Sequence, residues 1–281
     1  MTSFCCFCRQ IYMENKKHTV IKSNILLEGR KSFSLLEMKL LLSIISQIKR
    51  EDKDFERYRI HIQDFKNLVD KQGLTYTRIR NTARTLKSKN IELETDTGHH
   101  QTSYFTDIFT YKNKGYMDCY ISPFFKPYLL QLKREFTVYD IRNIINCKSV
   151  HSIRLYQLLK QYEKIGSRTI CLKDLKFILG MDEDRYPRWN NFRSRILEVA
   201  RKELKKHSDI YFEYETKRQG HQIHKVIFTI KKQKQRRLFD NEDFIKNDAV
   251  HYFVKDATSK VKQLQKDFDD GVSYKDFSKE P

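Results

Sequence analysis

Ile62-Gln63-Asp64-Phe65, a helical stretch through Arg78, Arg80 and Arg84, and then Leu86-Lys87-Ser88-Lys89-Asn90-Ile91-Glu92-Leu93-Glu94 make a pattern that occurs twice. It returns as Leu172-Lys173-Asp174-Leu175, a helical stretch through Arg193, Arg195 and Arg201, and Leu204-Lys205-Lys206-His207-Ser208-Asp209-Ile210-Tyr211-Phe212-Glu213. The offset is 110 residues at the start and 118–119 at the end. A self-similar block of that length is a duplicated domain, not a short solenoid repeat. In both copies a long apolar helix comes before the match and a strand follows the Arg-rich helix. Helix, short strand, helix, basic helix and β-hairpin is the order of a winged helix-turn-helix. The expected fold is α+β, two tandem winged-helix domains related by internal duplication. On a chain with 55 Lys and Arg against 36 Asp and Glu, a formal charge of +19, such domains point to a protein that holds duplex DNA.

Working outward from the first copy, residues 20–21 and 25–27 read as extended. Ser34, with Glu37 three residues on, makes a capping box for an apolar helix through Ile48. Residues 58–62 alternate like a strand. Asp64 is placed to cap a helix through Val69, and Thr75 to cap the next, residues 76–89. Strands are expected at 91–95, 104–112 and 116–121, with Asn113-Lys114-Gly115 as the turn between the last two. A helix or turn follows over 122–132. Around the second copy, an apolar helix is expected over 149–163, a strand over 168–172 and a short helix to 179, stopped by Gly180. Residues 181–187 read as a loop, 188–207 as a helix entered after Pro187, and 210–216 and 221–230 as strands. Lys217-Arg218-Gln219-Gly220 is the turn of the wing. The expected division is a flexible N-terminal segment, 1–24; a first winged helix for dimerisation and DNA contact, 25–136; a second for main DNA recognition, 137–237; and a tail, 238–281. The change at the tail is compositional: residues 241–281 hold nine acids and seven bases, a net charge of −2.

A length of 281 residues suits two domains with one core each, and 39% apolar residues with 19 Phe and 16 Tyr argue for folded protein. No apolar run reaches the length of a membrane span. Cys5, Cys6 and Cys8 crowd the start, while Cys119, Cys147 and Cys171 stand singly. No second Cys/His pair stands at zinc-finger spacing, so no metal site is expected, and scattered thiols suit a reducing cytosol. Met13-Glu14-Asn15-Lys16-Lys17 reads like a natural start.

The helix over 188–207 splits cleanly at 100° per residue. Trp189, Phe192, Ile196, Val199, Ala200 and Leu204 share one face; Asn191, Ser194, Arg195, Glu198, Arg201, Lys202 and Lys205 share the other. A helix in the major groove needs that split, since Arg can reach guanine O6 and N7 and Asn adenine N6 and N7. An ordinary surface helix would show it too; the preceding short helix, the basic wing and the net charge favour DNA. Arg193 sits near the apolar edge, placed to pair with an acid or reach a phosphate. In the first copy Ile79, Ala83 and Leu86 lie inward, and Thr77, Arg78, Asn81 and Arg84 outward. That helix either reads DNA or is a basic remnant in a dimerisation domain.

Catalysis is not expected. A replication nickase needs two His on one strand face and a Tyr nucleophile. His99 and His100 are adjacent, and His221 and His224 are three apart, so neither pair shares a face. No phosphate-binding Gly-rich loop with Lys and Ser or Thr is present, and no cofactor is implied.

Three segments together carry a family resemblance: Phe33 to Leu41 (FSLLEMKLL), Ser152 to Lys160 (SIRLYQLLK) and Trp189 to Leu204 (WNNFRSRILEVARKEL). The chain resembles the iteron-binding plasmid replication initiators of the RepB/RepE type over roughly residues 17–232. The resemblance implies two winged helices that bind double-stranded origin repeats, the second supplying the main recognition helix and the first a homodimer interface. It also implies recruitment of a host initiator and helicase in the bacterial cytoplasm. Carried residue by residue, recognition falls on Arg188, Asn190, Asn191, Ser194 and Arg195. The helical face adds Arg201, and the wing adds Lys217 and Arg218. The alternative function is a winged-helix transcriptional regulator without initiator activity. The Cys-rich start and the acidic tail depart from the family pattern.

Overall fold

The computed structural model describes residues 18–49, 52–69, 74–95, 98–112, 114–130, 132, 136–182 and 184–233. The Cys-rich start and the tail from 238 lie outside these residues.

The first half opens with β1 (Thr19–Ser23) and a short helix α1 (Asn24–Glu28). Residues 20–21 are extended as expected, although the segment to 24 was expected to be flexible, and 25–27, expected as extended chain, are helical. β1 is instead the partner of β7 (Phe136–Asp140), with Thr19 opposite Asp140 and Ser23 opposite Phe136. The expected boundary at 136/137 therefore falls inside β7. The long apolar helix is α2 (Leu35–Ile45), and its capping box is complete: the Glu37 N–H donates to Ser34 Oγ at 3.3 Å and the Ser34 N–H to Glu37 Oε2 at 2.7 Å. Such a cap contributes about 1 kcal/mol. Residues 36–45 of α2 are buried on every side, Lys39 included, so this is a central helix and not a surface one.

The basic helix of the first half lies in the order expected: β2 (Tyr58–His61), α3 (Ile62–Leu68) and α4 (Tyr76–Ser88). Thr75 caps α4, accepting from the Arg78 N–H at 3.2 Å. Asp64 does not cap α3: the cap position is His61, and Asp64 sits in the first turn, where a negative charge still favours the helix dipole. After α4 a separate hairpin intervenes, β3 (Asn90–Thr95) and β4 (Gly98–Ser103). Only then come β5 (Phe105–Thr110) and β6 (Tyr116–Ile121), which join β2 in a sheet of order β2-β6-β5. β4 was not foreseen. A 3-10 turn (Pro123–Phe125) and a single helical turn, α5 (Lys126–Leu129), form the helix or turn expected over 122–132.

The second half repeats the plan without the extra hairpin: α6 (Val150–Lys160), β8 (Ser167–Cys171), α7 (Leu172–Ile178), the basic helix, then β9 (Ile210–Gln219) and β10 (Gln222–Lys232). Its sheet runs β8-β10-β9, the same order as β2-β6-β5. The strand equivalent to β9 is thus β5 and not β3, although Ile91 to Glu94 match Ile210 to Glu213 in sequence. The inserted hairpin took the matching position along the chain, not in the sheet.

The two halves share a polar seam within one apolar core. Residues 152–159 of α6 are buried on all faces, between α1 and β7 on one side and the basic helix on the other. Arg154, only 2% exposed, donates to the Gly29 carbonyl at 2.9 Å and the Ile178 carbonyl at 2.8 Å, one from each half. Arg168 pairs with Glu28 at 2.9 Å, and Arg30 with Asp182. Gly180, at φ +74, lies so close to the Lys31 carbonyl that any Cβ would collide with it. Gly180 does stop α7, as expected, and its second constraint is this close approach. Lys22 and Lys31 are buried nearby, their ammonium groups 6.0 and 5.8 Å from the Tyr104 ring.

Candidate nucleic-acid interface

The basic helix of the second half is α8, a continuous run made of Trp189–Phe192, Arg193–Leu197 and Glu198–His207. Phe192, Ile196, Leu197, Ala200 and Leu204 are buried, while Trp189 and Val199 are partly buried. The middle stretch is a wide turn, in which the Glu198 N–H bonds the Arg193 carbonyl five residues back. Its cause can be read from the spacing. Phe192, Ile196, Ala200 and Leu204 are each four apart, and in a regular helix each such step advances by about 40°. The wide turn takes up part of that drift, so that all four reach the core.

Arg188, Asn190, Asn191, Ser194 and Arg195 are all exposed along the first turns of α8. The Ser194 hydroxyl leans back on the Asn191 carbonyl at 3.4 Å. Arg201 is exposed but paired: it lies 2.9 Å from Glu198, and Arg193 lies 3.9 Å from the same carboxylate. Tyr214 Oη on β9 also donates to Glu198 at 2.6 Å. The straight 100° projection put Glu198 on the exposed face, whereas it is partly buried against β9. The wide turn that precedes it is the reason. Glu198 and Tyr214 are the two site residues that sequence reading missed. An acid at 198 among the bases of the outward face was the only signal.

The wing is longer than expected. Lys217 and Arg218 are not in its turn but in the β9–β10 ladder, opposite Lys225 and Ile223, and both are exposed. The turn is Gly220-His221, where Gly220 takes φ +62, the conformation that tight hairpin turns require. Thr77, Arg78, Asn81 and Arg84 lie in the first half, exposed along α4, with Ile79, Ala83 and Leu86 buried beneath as the periodicity predicts. Tyr76 Oη donates to the Tyr111 carbonyl at 2.5 Å, tying α4 to the end of its own hairpin. One face of that sheet centres on Asp118, whose carboxylate is itself fully buried. Arg59 grips it at 2.8 and 3.0 Å and Tyr111 donates to it at 3.0 Å; the Arg59 hydrogen bond holds its carboxyl below the usual range. Phe109, opposite Asp118 on edge strand β5, is 54% exposed.

Two tandem winged helices with exposed basic helices and a basic wing are now in place. Residues 19–160 match the family model described as Initiator Replication protein, WH1, and residues 172–230 match the one described as Initiator Rep protein, WH2. The chain belongs to the initiator replication protein family. Among solved structures, the initiator is similar in fold to the Pi initiator protein crystallised in complex with iteron DNA. The identity is 20% and the TM-score 0.68, over 79% of this chain and 100% of that one. A second match is to domains 2 and 3 of RctB, with 13% identity and a TM-score of 0.45, over 72% of this chain and 82% of that one. No helix among the described residues of the initiator is long and apolar enough to cross a membrane.

Proposed function

We propose that the chain is a non-enzymatic initiator of plasmid replication in the bacterial cytoplasm. It binds tandem double-stranded repeats at the origin, helps open adjacent A·T-rich duplex, and recruits the host initiator and helicase. The observation that carries this reading is α8, whose apolar stripe is buried while Arg188, Asn190, Asn191, Ser194 and Arg195 project together beside the basic wing. That is the layout of a helix that reads base edges in the major groove. The Pi initiator, of the same fold and crystallised with iteron DNA, supports it. Lys217 and Arg218 then hold backbone, and Thr77, Arg78, Asn81 and Arg84 of α4 add a second contact. Reading and positioning separate experimentally. Asn191→Ala or Arg195→Ala should cost about 1–3 kcal/mol on the cognate repeat and far less on random duplex. Lys217→Ala or Arg218→Ala should weaken both about equally. Helix variants that weaken both DNAs alike would place α8 outside the groove.

The first half supports a second role, self-association. β5 is an edge strand, and edge strands with exposed apolar side chains invite pairing with another chain. Phe109 is the exposed aromatic on that edge. Phe109→Asp should favour monomer in sedimentation and raise affinity for a single repeat. A wild-type chain that stays monomeric at every attainable concentration would remove the dimer from this reading.

A further inference from the structure

Glu198 stands between the recognition face of α8 and the wing, and its partners define an unassigned role. Its carboxylate takes the Tyr214 hydroxyl at 2.6 Å, Arg201 at 2.9 Å and Arg193 at 3.9 Å. The three lie around a shallow depression between α8 and β9, with Trp189 and Thr216 on its walls. The acid is the sheltered member: its side chain is 23% exposed, against 56% for Arg193 and 45% for Arg201. Burial first, then the hydrogen bond to Glu198, push the Tyr214 phenol up to about 12, so it remains a donor and holds the carboxylate still.

The consequence is electrostatic. On a chain of formal charge +19, each free arginine beside the groove would bind any phosphate it met. A fixed carboxylate next to two arginines cancels part of that attraction. The pairs are solvent-exposed on the arginine side and so are weak enough to open. A phosphate or a guanine edge offers the guanidinium a stronger, bidentate partner, provided the helix is seated. We propose that Glu198 is a positioning residue that sets specificity. It withholds Arg193 and Arg201 from random duplex and yields them when cognate bases draw α8 fully into the groove. The proposal rests on the DNA-binding reading above.

Glu198→Gln tests it, since the amide keeps an oxygen for Tyr214 but loses the charge. The variant and the wild type are titrated with a single-repeat duplex from beside the gene and with a random duplex of equal length, across a salt series. Affinity for random DNA should rise about 3–10-fold and affinity for the repeat by less than about 2-fold, so that the specificity ratio falls. The log–log salt slope on random DNA should steepen by about 0.9 for each arginine released. In a chain already carrying Arg193→Ala and Arg201→Ala, Glu198→Gln should change neither quantity. Should Glu198→Gln fail to fold, Glu198→Ala, which also removes the charge, is read by the same ratio and the same slope. An unchanged ratio and slope would overturn the proposal, as would the same change in the arginine-less background. A wild type that binds no duplex at all would instead overturn the DNA-binding reading itself.

Discussion

Between 50 and 200 mM salt the affinity of this initiator for its repeat should fall by about 10³–10⁵-fold. Counterion release sets the size of the effect. Each phosphate neutralised by Lys or Arg frees condensed cations and adds about −0.9 to the log–log slope. The cations for it are in place: Arg188 and Arg195 on α8, Lys217 and Arg218 on the wing, and Arg78 and Arg84 on α4 are all exposed. With both winged helices on one duplex, roughly six to ten phosphates should be neutralised. Fluorescence anisotropy across a salt series gives the slope directly. Charge-neutral variants at Lys217 or Arg218 should each lower its magnitude by about one. Salt-independent affinity would mean that these surfaces do not hold phosphate backbone.

Arg154→Met should destabilise the fold by about 2–6 kcal/mol, the cost of leaving two buried carbonyls without their donor. Its guanidinium bonds one carbonyl from each half, Gly29 and Ile178, and each carbonyl left unpaired costs about 1–3 kcal/mol. Methionine fills the volume and replaces neither bond. The same seam makes stability depend on pH. Burial, then the Arg154 charge, bring the Lys22 ammonium down to about 7. Burial, then Arg185 and Arg154, bring His151 down to about 4. Both groups hold a proton more tightly in the unfolded chain, so stability is greater wherever pH lies above their ordinary values. For Lys22 it should decline as pH falls from about 10 to 7, and for His151 as pH falls from about 6.5 to 4. Denaturant unfolding of wild type and Arg154→Met over this range measures both effects. In Arg154→Met the Lys22 part should shrink, because one of the two causes of its shift is gone. An unchanged unfolding midpoint in Arg154→Met would show that the two carbonyls find other donors and that this residue does not join the halves.

Much of this arrangement was legible in the chain. Ser34 with Glu37, and Thr75 before α4, act as the caps that their spacing announces, because capping depends on residues within one turn. Ile79, Ala83 and Leu86 go inward and Thr77, Arg78, Asn81 and Arg84 outward, because helical periodicity is local geometry. The tandem order of elements follows from the repeat. β4 escaped notice for the opposite reason: Gly98 to Ser103 contains no apolar alternation, and the strand exists because β3 offers it a ladder. The Lys217-Arg218 segment likewise looks like a turn until β10 pairs with it.

What the sequence determined by itself was therefore the fold class, the family, the exposed face of α4 and, Glu198 apart, that of α8, the helical faces being set by contacts among near neighbours. Tertiary structure alone decided the pairing of β1 with β7, the burial of Arg154 against Gly29 and Ile178, and the wide turn that sets Glu198 against Tyr214. Those contacts join residues far apart in the chain or shift a helix out of regular phase. Their favourable energy appears only once the two halves close on each other, when Arg154 in SIRLYQLLK becomes the bond between them.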